Sequence, residues 1–171
     1  MSSLGVVVGN PKVASRTLTV AREVLRSAAT AVGVEETEVT EVDLATIAPL
    51  LFDWSAPEVR DAVERVRATS LLVVASPTYK ASYTGLLKSF LDWFSTTGLS
   101  GVTVVPVMVG AGAAHALAVE VHLRPVLVEI GASLPTRGLY VTEDRLDDLA
   151  AVIDDWLVEA APLLRASLGT S

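Results

Sequence analysis

The chain predicts a three-layer α/β sandwich built on a five-stranded parallel sheet, and three observations carry that prediction. Short apolar runs alternate with longer amphipathic stretches along the whole sequence. Leu71 to Ala75 is continuously apolar and Val102 to Val109 nearly so, as strands covered by helices on both faces must be. No internal repeat or low-complexity linker breaks the alternation, so residues 1–171 read as a single domain.

Each element follows from its own pattern. Leu4 to Val8 is a buried strand broken by the turn Gly9-Asn10-Pro11. From Ser15, placed to cap a helix, Leu18, Val20, Val24, Leu25 and Ala28 recur at helical spacing until Gly33. Glu38 to Leu44 alternates polar with apolar, and its charges suit an edge strand. Pro57 opens a second helix whose Val59, Val63 and Val66 share a face until Ala68. The central strand Leu71 to Ala75 ends at Ser76-Pro77. Tyr83 to Phe94 is helical by period, Val102 to Val109 is the fourth strand, and Ala113 to Ile130 reads as one long helix interrupted by Pro125. A weaker strand at Arg137 to Val141 precedes a last helix, Leu146 to Leu164, and a polar tail expected to fray. With right-handed crossovers the fitting strand order is 2-1-3-4-5, the flavodoxin-like arrangement, whose ligand crevice lies over the carboxyl ends of strands one and three.

Composition narrows the partners. The formal charge is −7 with no basic stripe, which argues against a nucleic acid or an anionic membrane and leaves small molecules or proteins. There is no cysteine, so disulfides, thiolate catalysis and Cys-ligated metals are excluded. Met1-Ser2-Ser3 leads straight into an apolar strand, and no apolar run is long enough to span a bilayer, so a cytoplasmic protein is expected.

The loops expected at the crevice carry the chemistry. Gly9 to Thr17 brings Asn10, Lys12, Ser15, Arg16 and Thr17 to a helix N-terminus, where backbone N–H groups and the dipole favour a phosphate. It also reads as a capped helix with exposed cations. It has neither the P-loop pattern nor G-x-G-x-x-G. The next loop, Pro77, Thr78, Tyr79, Lys80 onward to Gly85, suits a flat heterocycle, or else packs its tyrosines at the surface. Gly110, Ala111 and Gly112 allow close backbone approach to a ligand. His115 and His122 lie about two turns apart on one expected helix, too far for a routine metal pair, so no metal site is expected. Asp53 and Trp54 either flank the crevice or pack a loop.

These segments resemble the NADPH-dependent FMN reductases that supply reduced flavin to alkanesulfonate and related two-component monooxygenases. The resemblance rests on Gly9-Asn10-Pro11…Ser15-Arg16-Thr17, on Pro77 to Lys88 with Leu91-Asp92, and on His115 to Leu127. It implies that the first loop holds the FMN phosphate, that Pro77 to Lys80 lie against the isoalloxazine, and that Gly110 to Gly112 contact its pyrimidine edge. Asn10 stands where the family commonly has Ser, and Ala111 where it often has Gly. Some members carry an inserted aromatic in the fourth helix, forming a π-bulge at a tetramer interface that goes with flavin acting as a dissociable substrate; here the stretch reads Val121-His122.

The chemistry so implied is hydride transfer from nicotinamide C4 to flavin N5, which needs no protein acid or base. Two rivals remain open: a reductase of quinones, azo compounds or metal ions with prosthetic FMN, and a non-catalytic FMN electron carrier. NADPH and NADH are not distinguished. The apolar faces around Leu87, Leu91 and Trp93 read either as core or as the contact of a homodimer or homotetramer.

Overall fold

A computed structural model of the protein describes residues 3–34 and 38–170; Met1, Ser2, the segment 35–37 and Ser171 at the end of the tail lie outside the described residues. Five parallel strands form one sheet in the order β2-β1-β3-β4-β5, with β1 Leu4–Val8, β2 Val39–Asp43, β3 Leu71–Pro77, β4 Thr103–Gly110 and β5 Leu139–Thr142. Class and strand order are those expected. At its carboxyl end β1 sets Val8 between Asp43 of β2 and Ala75 of β3.

Side chains alternate faces along a strand, so the sheet feeds two cores. Val7, Leu72, Val74, Val104 and Met108 pack with α2 (Pro57–Arg67), α3 (Gly85–Leu91) and α4 (Arg124–Glu129). Val6, Val8, Val73, Ala75, Val105 and Val107 pack with α1 (Arg16–Val32) and α5 (Leu149–Leu168). Leu87 and Leu91 are buried within their own chain, so they belong to the core rather than to a contact between chains.

The largest departure from expectation lies at 113–130, which is not one helix. It divides into a 3-10 turn at Ala113–His115, a π turn at Val119–Leu123, and α4. Pro125 supplies a physical reason. In a regular helix its ring would collide with the carbonyl of Val121, and it has no N–H to give. A widened turn, in which the Arg124 N–H reaches back five residues to the Val119 carbonyl, carries the chain past that point.

The end of the chain also differs. Glu143–Asp148 form a 3-10 stretch, so α5 starts late, and it runs beyond Leu164 to Leu168 before Gly169 closes it. The last turns are tied down: Arg165 donates to the Ala31 carbonyl at 2.5 Å, and the hydroxyls of Thr103 and Ser167 lie 2.8 Å apart. Among the described residues no helix is long and apolar enough to cross a membrane.

Candidate functional site

Over the carboxyl ends of β1, β3 and β4 lies a pocket of about 210 Å³. Asn10, Lys12, Ser15, Arg16 and Thr17 line it from the β1–α1 loop, Pro77 and Tyr79 from the end of β3, with Val109 and Glu143 completing it. Seven of these nine residues are among those singled out in the sequence; Val109 and Glu143 carried no local signal. A larger cavity of about 410 Å³ lies beside edge strand β5, between α5 and the π turn. Of the two, the smaller is the candidate, because strand ends and a helix N-terminus converge on it.

The first loop is held by its own side chains. Asn10 accepts from the Lys12 N–H at 2.9 Å and donates from Nδ2 to Thr17 Oγ1 at 3.0 Å. Its amide therefore shapes the loop while lining the pocket. Buried Ser15 caps α1, its Oγ accepting from the Leu18 N–H at 3.2 Å. Asp43 accepts from the Ala14 N–H at 3.1 Å, fixing Ala14 in the left-handed region at φ 51°. The opening N–H groups of α1 have no partners within the helix, which equips the pocket for an anion. Arg16 pairs with Glu143 at 3.2 Å across its mouth.

The loop after β3 is a tight reversal. Tyr79 and Ser82 exchange backbone hydrogen bonds of 2.8 and 3.1 Å, with Lys80 and Ala81 between them both at positive φ, 51° and 66°. Residues without a glycine's freedom at such angles cost roughly 1–3 kcal/mol each, a kind of strain that concentrates at ligand sites. The reversal leaves Tyr79 half exposed beside the pocket. Thr78 hands its N–H to the Val109 carbonyl at 2.7 Å, while its Oγ1 is buried without a hydrogen-bond partner.

The glycine loop adjoins Thr78 through Tyr140, whose hydroxyl donates to the Gly112 carbonyl at 3.0 Å. A Cβ on Gly110 would overlap that hydroxyl and stand 2.8 Å from the ring's Cζ and 3.1 Å from Thr78 Oγ1. Gly110 is needed for close approach, then, not for a positive φ. Ala111 is not among the residues at positive φ, so it occupies the family's frequent Gly position without strain.

The β1 loop and α3 are braced together above the sheet. Thr84 caps α3 by accepting from the Leu87 N–H at 3.1 Å and donates its hydroxyl to the Gly9 carbonyl at 2.5 Å. Ser76 Oγ in turn accepts from the Thr84 N–H at 3.0 Å. That cap also starts α3 at Gly85, two residues later than its periodicity alone indicates. Trp54 packs on Trp93 with ring centroids 4.7 Å apart, and the Trp93 indole N–H donates to the Leu51 carbonyl at 2.9 Å.

The family profile described as NADPH-dependent FMN reductase matches residues 2–145. The chain belongs to the NADPH-dependent FMN reductase family. It is 32% identical over 148 residues to an Escherichia coli protein named FMN reductase (NADPH), the match covering 83% of this chain and 74% of that protein. It is 31% identical over 145 residues to the Pseudomonas putida NADH-dependent FMN reductase SfnF, covering 83% and 78% respectively. Among solved structures, the apo form of the NADH:FMN oxidoreductase EMOB superposes with a TM-score of 0.75 at 27% identity, covering 100% of this chain and 91% of that one. The resemblance read from the sequence is borne out, and with it the oxidoreductase class.

Within this FMN reductase family member, the Val121-His122 stretch does form a π turn, although no aromatic stands in it. Val121 and His122 are exposed there, and His115 lies apart in the 3-10 turn, so the two histidines do not share one helix.

Proposed function

We propose that the protein is an NAD(P)H:FMN oxidoreductase that binds FMN with its phosphate at the N-terminus of α1 and passes reduced flavin to a flavin-dependent monooxygenase. The observation that carries this reading is the convergence of the β1–α1 loop and the end of β3 on one small pocket at a helix N-terminus, lined by two cations and by the hydroxyl or amide side chains of Asn10, Ser15, Thr17 and Tyr79. Its 210 Å³ is below the roughly 300–1,000 Å³ of a site enclosing a whole drug-sized ligand, which suits a ligand's phosphate end.

Lys12, Arg16, Ser15 and Thr17 hold the phosphate in this reading, and Asn10 keeps the loop in shape. Thr78, Tyr79 and Lys80 support the ring, and the unpartnered Thr78 Oγ1 is a buried polar atom that a flavin's heteroatom edge would satisfy. The backbone of Gly110, Ala111 and Gly112 faces the pyrimidine edge, where N–H groups favour negative charge. FMN itself supplies the hydride-accepting ring when bound. Orientation of flavin and nicotinamide is the protein's contribution, and no acid or base among its side chains has to act.

Anaerobic oxidation of NADPH and NADH by flavin-free protein, with and without excess FMN, tests this. Turnover that rises saturably beyond one equivalent of FMN is expected. Reduction of one equivalent, then a stall until a quinone or azo dye is added, would make the flavin prosthetic. No oxidation of either nicotinamide would overturn the reductase reading.

We also propose self-association through the side of the molecule carrying α3 and α4. Val121 and Val128 are exposed there, and Phe94, Pro125 and Val126 line a groove of about 390 Å³ between the two helices. Sedimentation velocity is expected to show two or four chains; a single-chain species at micromolar concentration would refute it.

A further inference from the structure

Glu143 is an acid in a pocket built for an anion. It begins the 3-10 stretch after β5, far in sequence from the β1–α1 loop, yet it lines the same pocket and holds Arg16 at 3.2 Å. The two side chains are 69% and 45% exposed, so the pair is open to exchange rather than locked into the core. Of the two cations that line the pocket, Arg16 is the one engaged by this carboxylate.

We propose that Glu143 competes with the flavin phosphate for Arg16 and so sets FMN affinity low enough for the flavin to leave after each turnover. This rests on the FMN reading above and adds to it an affinity-determining residue. The physical reason is charge bookkeeping at one point. A phosphate monoester near neutral pH carries most of two negative charges. To reach Arg16 it must break the existing pair, and it then sits within one Debye length, about 8 Å, of a carboxylate that no longer has its partner. Both effects oppose the phosphate and neither acts on the isoalloxazine or ribityl chain. Within one site, changes of affinity appear mostly in the dissociation rate, so the same carboxylate speeds release.

Riboflavin separates this from a structural role, because it has the same ring and ribityl chain without the phosphate. Fluorescence titrations with FMN and with riboflavin should be made on the wild type, Glu143→Gln, Arg16→Gln and the double variant. Glu143→Gln is expected to tighten FMN about fivefold to tenfold, the size of a partly exposed pair plus one like-charge repulsion, and to slow its release. Riboflavin should bind the wild type and Glu143→Gln alike, within about twofold, since no charge–charge term reaches it. In the Arg16→Gln background the gain from Glu143→Gln should shrink, because the competed cation is gone.

An equal gain for both flavins would mean that Glu143 shapes the loop, and the inference would fall. So would an unchanged FMN affinity, or a gain that persists in full without Arg16. If neither flavin binds the wild type, the FMN reading itself fails and takes this inference with it. If FMN binds and Glu143→Gln changes nothing, only the role of Glu143 is lost.

Discussion

Gly9→Ala is expected to destabilise the protein by about 2–3 kcal/mol, the upper part of the overpacking range, and to lower its melting temperature by roughly 5–10 °C. A Cβ at this position would stand 2.5 Å from Leu87 Cβ, 3.1 Å from Thr84 Oγ1 and 3.2 Å from Leu87 Cα. The first of these overlaps is with a rigid stem and the last with backbone, so no flexible tip can swing aside. Gly9 also donates its N–H to the Ala75 carbonyl at 2.8 Å while its own carbonyl accepts from Thr84. Moving away from α3 therefore strains the bond to β3, and moving α3 instead loosens its cap at Thr84 and the Ser76 brace behind it. Flavin affinity should fall with stability, because the loops after β1 and β3 are the two that the brace aligns.

Gly85→Ala is the control. A Cβ there meets nothing within 4 Å, and the position is the first residue of α3. Helix propensity predicts a neutral change or a gain of up to about 1 kcal/mol. Differential scanning calorimetry of both variants with flavin titrations checks the pair. Equal melting temperatures for Gly9→Ala and wild type would show that the loop and α3 can separate freely, contrary to the bracing described.

The contrast between these two glycines shows what the sequence does and does not reveal. Gly9 reads as part of a turn and Gly85 as part of a helix; only the fold shows that the first touches α3 and the second faces open space. The strands were legible because a parallel strand with helices on both faces must be apolar throughout, as Leu71–Ala75 is. The charged β2 announced itself as an edge, and with a continuously apolar central strand and right-handed crossovers that ordered the sheet. The segment 113–130 was not legible in detail, because apolar residues continue at near-helical spacing on both sides of the π turn and periodicity registers one extra residue only weakly. The left-handed pair Lys80-Ala81 lacks the Asn or Gly that marks such reversals. Glu143 escaped notice for a different reason: its meaning depends on Arg16, and proximity between α1 and the end of β5 arises only when α1 and α5 pack on one face of the sheet.

The second large effect is expected at Arg124, where a single guanidinium ties the π turn to the segment leading into β5. It pairs with Glu120 at 2.5 Å, donates to the Leu134 carbonyl at 3.1 Å and also donates to the Thr136 carbonyl. Glu120 reciprocates by accepting from the Gly138 N–H at 2.5 Å. Arg124→Ala removes the donor for two carbonyls and leaves a carboxylate, only 32% exposed, without its cation. Unpaired groups of this kind place the cost at about 2–4 kcal/mol. Arg124→Lys should recover only part of it, since an ammonium cannot span the carboxylate and both carbonyls with a planar fork. The pH dependence supplies an independent check. Burial pushes the Glu120 carboxyl up, but the hydrogen bonds from Arg124 and the Gly138 N–H, with the charges of Arg124 and Arg137, outweigh it and hold the group below the usual carboxylate range. A depressed value in the folded state means that the pair's stabilisation is complete above the unfolded value, about 4.3 for Glu, and is lost as pH falls through the lower folded value. Urea denaturation at neutral pH and at pH 3 should therefore show a gap between wild type and Glu120→Gln that is widest at neutral pH and narrows in acid. A gap that stays constant across that range would show that Glu120 acts through packing alone, and that its charge contributes nothing to holding the π turn against β5.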